Sequence, residues 1–495
     1  MITWPKYPVI YLINTWVWLQ ELGKNKKSPV TLATVPKKEW DAIADLNVDA
    51  VWFMGVWERS PAGIAVAMGN QGLLDDFRRS LPDFTAADNV GSPYCVRRYE
   101  VDKHLGGREG LAKARKELAK RGMGLMLDFV PNHVAPDHPW VSKHPDYFIR
   151  GDYGDSVRDP GAYITAGGGV FACGRDPFFP AWPDVLQLNA FNEGLRTAII
   201  DTVTEIAGQC DGVRCDMAML VMNDIFQRTW GERAGESPKE EYWPKLINTV
   251  RAAHPGFLFM AEAYWDLEWA LQQQGFDFCY DKKLYDRLEH DSAESIRLHL
   301  CADFPYQERL VRFIENHDEP RAAAAFTPEQ ERAAAVTTMT LPGALLLHEG
   351  QFEGRTVRLP VFLGRRPDEP PDKGLRAFYH DLLGIIAKEG LRSGEWRLCE
   401  RVGWPDNQSY LNLVAWCWHN GDKRHLVVVN LSDQDSQGQV RLPWNKLAGY
   451  SWTLLDLLSG EVYERDGREL QESGLFVALG PWQFHLFALS RKGHE

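Results

Sequence analysis

Eight short apolar runs, set apart by helical sequence, constrain this chain more than any other feature. They lie at residues 9–13, 48–53, 124–130, 211–216, 257–262, 276–280, 310–316 and 344–347. Helical patterns fill 36–46, 108–121, 192–208, most of 223–254, and 374–388. Strands that alternate with helices predict a parallel sheet, because parallel neighbours need a crossover, and eight such units predict a closed (β/α)8 TIM barrel of the α/β class. Three stretches leave the alternation. Residues 54–98 carry Gly and Pro without a clear period, and so long a loop in a compact domain is usually functional. Residues 134–186, rich in Gly, Pro, Asp and aromatics, predict a small excursion domain after strand 3. From residue 394 the pattern turns to β runs such as 425–431 and 475–489, which predict a C-terminal antiparallel β-sandwich. The expected domains are a barrel at 1–133 and 187–393, an excursion at 134–186 and a sandwich at 394–495.

In a barrel of this kind, polar residues at the carboxyl ends of strands carry the chemistry. The fourth run is the most telling. Asp211 and Gly212 form a turn signal, Val213 and Cys215 flank Arg214, and Asp216 follows. Arg214 and Asp216 are two apart on a strand and share a face. A neighbouring guanidinium keeps a carboxylate ionised, as a nucleophile requires. On its own this stretch fits a structural ion pair equally well. Other strand ends add Asp128, Asn132 and His133, then Glu262, then His317 and Asp318. Three carboxylates at one barrel mouth repel one another, a cost that glycoside hydrolysis justifies with one carboxylate as nucleophile and one carboxylic acid as proton donor.

The charge is −13 with no basic cluster, which argues against a nucleic-acid partner. None of the eight cysteines forms a CxxC pair, so zinc is not expected, and reduced thiols in a cytoplasmic setting are. Residues 9–13 are too short to span a membrane and follow no basic leader, so neither a membrane partner nor a signal peptide is expected. Oligomeric state is not legible.

Four segments in order, DFVPNH (128–133), GVRCD (212–216), AEAYW (261–265) and ENHD (315–318), resemble the signature motifs of the α-amylase family, glycoside hydrolase family 13. WPDVLQLN (182–189), LPGALLLHEGQ (341–351) and the β tail extend the resemblance over nearly the whole chain. It implies a retaining enzyme that cleaves α-glucosidic bonds of α-glucans or maltooligosaccharides through a covalent glycosyl-enzyme. By the same resemblance Asp216 is the nucleophile, Glu262 the general acid and Asp318 the third carboxylate. Arg214, His133, His317, Tyr94 and Asp128 are implied as substrate-binding residues. No cofactor is implied for the chemistry. A structural Ca2+ is implied at Asn132 and Asp184, both oxygen donors as a hard cation requires. The family often places Lys-His three and four residues after the nucleophile, whereas this chain has Met219 and Leu220, which weakens the expectation of calcium and of an ordinary acceptor site. Hydrolysis, glucanotransfer, α-glucosidase action and sugar isomerisation all remain open within the family. A catalytically inactive binding module is disfavoured by the presence of all three carboxylates.

Overall fold

The computed structural model describes residues 2–24 and 26–492. Strands β1 (Val9–Asn14), β2 (Ala50–Met54), β3 (Gly124–Phe129), β4 (Gly212–Cys215), β5 (Leu258–Ala261), β6 (Phe278–Tyr280), β7 (Leu310–Arg312) and β8 (Ala344–His348) form a closed barrel. Their order around it is β1-β8-β7-β6-β5-β4-β3-β2, which is the expected (β/α)8 fold. Every residue in these eight strands is buried. That is why they read as continuous apolar runs rather than as alternating ones: a parallel strand is covered on both faces. Contacts divide the chain into two compact units, the first running to Tyr280 with Val357–Glu369 added, the second comprising Asp281–Thr356 and the residues from Pro370 onward.

In the first unit, β4 pairs with β3 on one side and β5 on the other, so that Arg214 stands opposite both Asp128 and Met260. The two backbones come very close at Gly212, where a Cβ would lie 2.9 Å from the Leu258 carbonyl oxygen. The helix before β4, Glu193–Ala207, starts where the Asn192 side chain accepts the Leu195 N–H at 2.8 Å. It buries Leu195, Ile199, Val203 and Ile206, a spacing that gives one apolar face.

Residues 54–98 are more ordered than the sequence predicts. They contain helices Pro61–Gly69 and Gln71–Ser80, capped by Ser60 and Asn70. The first is apolar nearly all round and both are short, so neither shows a legible period. Phe77, Leu81 and Leu363 form a separate apolar cluster that ties the second helix to the returning 357–369 segment. After β3, His133–Val134, Arg150–Gly151, Tyr163–Ala166, Gly169–Gly174 and Trp182–Gln187 build an antiparallel sheet.

In the second unit β7 and β8 are parallel neighbours. Gly343, just before β8, has φ +104°, and a Cβ there would collide with the Leu310 carbonyl oxygen, so only glycine fits. The C-terminal part has a six-stranded and a three-stranded antiparallel sheet. Leu413, Ala415, Leu426 and Val428 of the larger and Val440, Leu475 and Val477 of the smaller share one core, which makes a sandwich. Among the described residues, no helix is long and apolar enough to cross a membrane.

Candidate active site

β4 delivers Arg214 inward with no exposed side-chain surface. Its Nη1 donates to Asp216 Oδ1 at 2.6 Å, and its Nη2 lies 2.8 Å from Glu262 Oε2 as an ion pair without hydrogen-bond alignment. One guanidinium therefore links the carboxylates at the ends of β4 and β5. The rings of Tyr94, Trp52 and Tyr280 surround it, with centroids 5.2, 5.4 and 5.8 Å from its central carbon. Burial alone would lower the pKa of so enclosed an arginine. The Glu262 carboxylate, then Tyr94, Tyr280 and Asp216, outweigh that and hold its pKa well above the ordinary value.

The backbone fixes both carboxylates. Asp216 N–H bonds the Phe129 carbonyl at 2.8 Å, and Glu262 N–H bonds the Cys215 carbonyl at 3.0 Å. Met217, next after Asp216, adopts a left-handed conformation (φ 41°) and donates its N–H to Glu262 Oε2 at 2.6 Å. Tyr264 Oη donates to Glu262 Oε1 at 2.8 Å. Trp265 and Asp266, both with φ 62°, continue this turn through backbone that L-residues seldom adopt. Asp216 and Glu262 are 5% and 3% exposed, so these bonds operate away from bulk water.

Asp128 is fully buried, accepting from Trp52 Nε1 at 3.1 Å and from the Gly55 N–H at 3.0 Å. It anchors the ring that packs on Arg214. His133 is pushed down to about 4 by burial, although a hydrogen bond to the Tyr94 backbone pulls the other way, so its imidazole is neutral at ordinary pH. Its ring lies 5.2 Å from that of Trp182. The structure thus gathers Tyr94, Asp128, His133, Arg214, Asp216 and Glu262 in the first unit. In the second unit, His317 Nε2 lies 3.0 Å from Asp318 Oδ2, and Asn316 Oδ1 accepts the N–H of Asp318 at 2.9 Å, bracing the turn.

The calcium expectation at Asn132 and Asp184 does not suit the donor set. Asn132 Oδ1, which would face a cation, accepts Gln187 Nε2 at 2.9 Å. Burial pushes the Asp184 carboxyl up to about 6. Among the described residues, no three His, Cys, Asp or Glu side chains converge to hold a metal ion. Met219 and Leu220 are 0% and 2% exposed, within the turn Ala218–Val221. Met219 thus packs into the interior, where a lysine would bury a charge.

Sequence reasoning missed Tyr264, Met217, Trp52 and Gln187. Tyr264 follows Glu262 by two and was within reach of a face argument, whereas Gln187 meets Asn132 across 55 positions and left no local signal.

A model of the α-amylase catalytic domain matches residues 38–412. An α-amylase of Haloarcula japonica is 25% identical over 478 residues, covering 92% of this chain and 59% of its own length. A cyclomaltodextrinase of Geobacillus thermopakistaniensis is 22% identical, covering 79% of this chain and 63% of its own length. The chain thus spans about three fifths of the length of these curated relatives. A crystal structure of a maltogenic α-amylase from Thermotoga neapolitana superposes with TM-score 0.70 at 18% identity over 98% of both chains. An α-amylase from Lactobacillus plantarum gives 0.68 at 19% identity, covering 98% of this chain and 99% of that one.

Proposed function

The chain belongs to the α-amylase family, and on that premise we propose that it is a retaining enzyme acting on α-glucosidic bonds of short α-glucans. The observation that carries this reading is the single guanidinium of Arg214 ion-paired with both Asp216 and Glu262. Asp216, kept ionised by Arg214, attacks the anomeric carbon and forms the glycosyl-enzyme bond. Glu262 gives its proton to the departing glycosidic oxygen as that bond breaks. Glu262, now a carboxylate, then takes a proton from water or from a sugar hydroxyl, whose oxygen attacks the anomeric carbon and frees Asp216. Tyr94 and His133 are proposed to contact the sugar being cleaved. Asp318, paired with His317, is proposed to bind its hydroxyls.

On the acceptor side the buried Met219 offers no cation. Phe178, 62% exposed, packs edge-on against Trp265 with centroids 4.8 Å apart, three residues beyond Glu262. An exposed aromatic ring of this kind suits a sugar whose apolar C–H face packs on the ring face. We therefore propose a preference for short maltooligosaccharides over long starch chains. No disulfide joins any of the eight cysteines and seven are buried, which supports a reducing, cytoplasmic setting.

The test is incubation with maltotriose through maltoheptaose and with soluble starch, followed by product chromatography and proton NMR of the first anomer formed. The expected result is an α-anomeric first product, higher efficiency on the oligosaccharides, and loss of turnover of roughly a thousandfold or more in Asp216→Asn. An inert protein, a β-anomeric first product or starch turnover matching the oligosaccharides would each overturn the corresponding part.

A further inference from the structure

We propose that Gln187 stands in for a structural cation: its carboxamide fastens the turn that carries His133, and the turn needs no divalent metal. The group is wholly enclosed, with Gln187 0% and Asn132 1% exposed. Gln187 Nε2 faces three oxygens, Asn132 Oδ1 at 2.9 Å, the Asn132 carbonyl at 3.0 Å and the Leu188 carbonyl at 3.0 Å. Its Oε1 accepts Asn132 Nδ2 at 3.2 Å and the Arg175 backbone N–H at 3.4 Å. The orientation is fixed by chemistry. Two of the oxygens are backbone carbonyls, which only accept, so the NH2 end must face them. Asn132 then has no choice but to turn its oxygen toward that NH2 and its own NH2 toward Oε1.

Three oxygens converging on one centre resemble half of a hard-cation shell. The spacing does not: 2.9–3.0 Å is an N–H···O distance, whereas Ca2+ draws oxygens to about 2.3–2.6 Å. A cation entering here would meet N–H groups from Gln187 and Asn132. The amide also does the mechanical work a metal would do. Gln187 pairs with His133 in antiparallel register, Leu188 N–H bonds the Asn132 carbonyl at 3.0 Å, and Ile149 N–H bonds the Gln187 carbonyl at 3.0 Å. Asn132 Nδ2 lies 3.4 Å from His133 Nδ1, so the clamp reaches the imidazole itself. Gln187 is a positioning residue for His133. Its place as a clamp is independent of the proposed function; only the effect on substrate affinity rests on that reading.

The experiment is thermal unfolding of the full chain in excess EDTA and in millimolar CaCl2, with calorimetric Ca2+ titration of the EDTA-treated protein. The expected result is one Tm in both buffers and no binding heat. Two variants follow. Gln187→Glu replaces the NH2 by a carboxylate oxygen beside the same three oxygens, and should acquire a Tm that rises with Ca2+ concentration. Gln187→Leu should lower Tm by several degrees, with no recovery in Ca2+, and raise KM for maltotriose several-fold more than it lowers kcat. A wild-type Tm or activity that EDTA lowers and Ca2+ restores would overturn the proposal, as would a Gln187→Leu variant with unchanged Tm. Should neither variant fold, the wild-type titration still decides. A protein inert toward glucans but unmoved by EDTA would sink the function and leave the clamp standing.

Discussion

At the level of single residues, the tension lies in what surrounds Glu262. A general acid must hold its proton, yet Arg214, the Met217 N–H and the Tyr264 hydroxyl all direct positive charge or protons at its two oxygens. Each of these favours the carboxylate. Of the three, Tyr264 can be removed without disturbing the backbone or stranding a charge. Tyr264→Phe should therefore raise the pKa of Glu262 and move the alkaline limb of the kcat/KM profile to higher pH, by up to about one unit. Turnover at the optimum should change little, because the proton donor itself remains. A pH–rate series on maltotriose checks this; a limb that stays put or moves to lower pH would show that Tyr264 does not tune the acid. Arg214 is another matter. Replacing it would take the balancing positive charge from two buried carboxylates, at a cost on the order of 3–5 kcal/mol, so its loss would confound catalysis with folding.

Among the elements, β4 and β5 matter most, since they place Asp216 and Glu262 and touch at Gly212. A methyl group there would sit 2.9 Å from the Leu258 carbonyl oxygen and 3.0 Å from the Leu258 Cβ. Both neighbours belong to a buried strand that cannot swing aside. Gly212→Ala should push β4 off β5, costing about 1–3 kcal/mol and lowering kcat by more than KM rises, because the carboxylates shift and the outer binding surfaces do not. Unchanged Tm and kcat in this variant would show that the strand pair has slack. These strands were legible in the sequence because burial on both faces makes them unbroken apolar runs with polar ends. Their carboxylates were legible for the same reason, since Asp216 and Glu262 stand out against Val213, Cys215, Met260 and Ala261. The 54–98 excursion was not, because Pro61–Gly69 is apolar nearly all round and the partner of Phe77 at Leu363 is far away in sequence. The seventh strand was read through residue 316 but ends at Arg312, since the polar turn beyond it is held by Asn316 and not by a ladder. Clamps between distant positions, such as Gln187 on Asn132, have no local pattern at all.

Across the whole molecule, buried titratable groups of opposite sign set the dependence of stability on pH. Burial pushes His133, His138 and His348 each down to about 4, helped at His138 by Arg98 and at His348 by Arg321. These rings bind protons when unfolded but not when folded, so stability falls as pH drops from about 6.5 toward 4. Burial pushes Asp184 up to about 6 and Glu331 up to about 7. Those two hold protons when folded but not when unfolded, so their contribution is fully present below the ordinary carboxylate range and is lost as pH rises through 6 to 7. Between pH 4.5 and 6.5 these histidines and carboxyls oppose each other, the rings favouring the higher pH and the carboxyls the lower. Glu331 isolates one side of the balance. Its Oε1 accepts the Tyr379 hydroxyl at 2.9 Å, a bond that a glutamine oxygen also accepts, so Glu331→Gln removes the buried charge and keeps the contact. At pH 8, where the wild-type carboxyl is ionised and desolvated, the variant should be more stable, by on the order of 2–3 kcal/mol and hence by several degrees in Tm. Near pH 4.5, where the wild-type carboxyl is protonated when folded, the two melting temperatures should converge. In between, the variant should lose stability more steeply on acidification, because the histidines then act with less opposition. Tm measured from pH 4.5 to 8 in both proteins checks this, and a gap that is constant across the range, or reversed at pH 8, would mean that Glu331 is not the buried acid its surroundings make it.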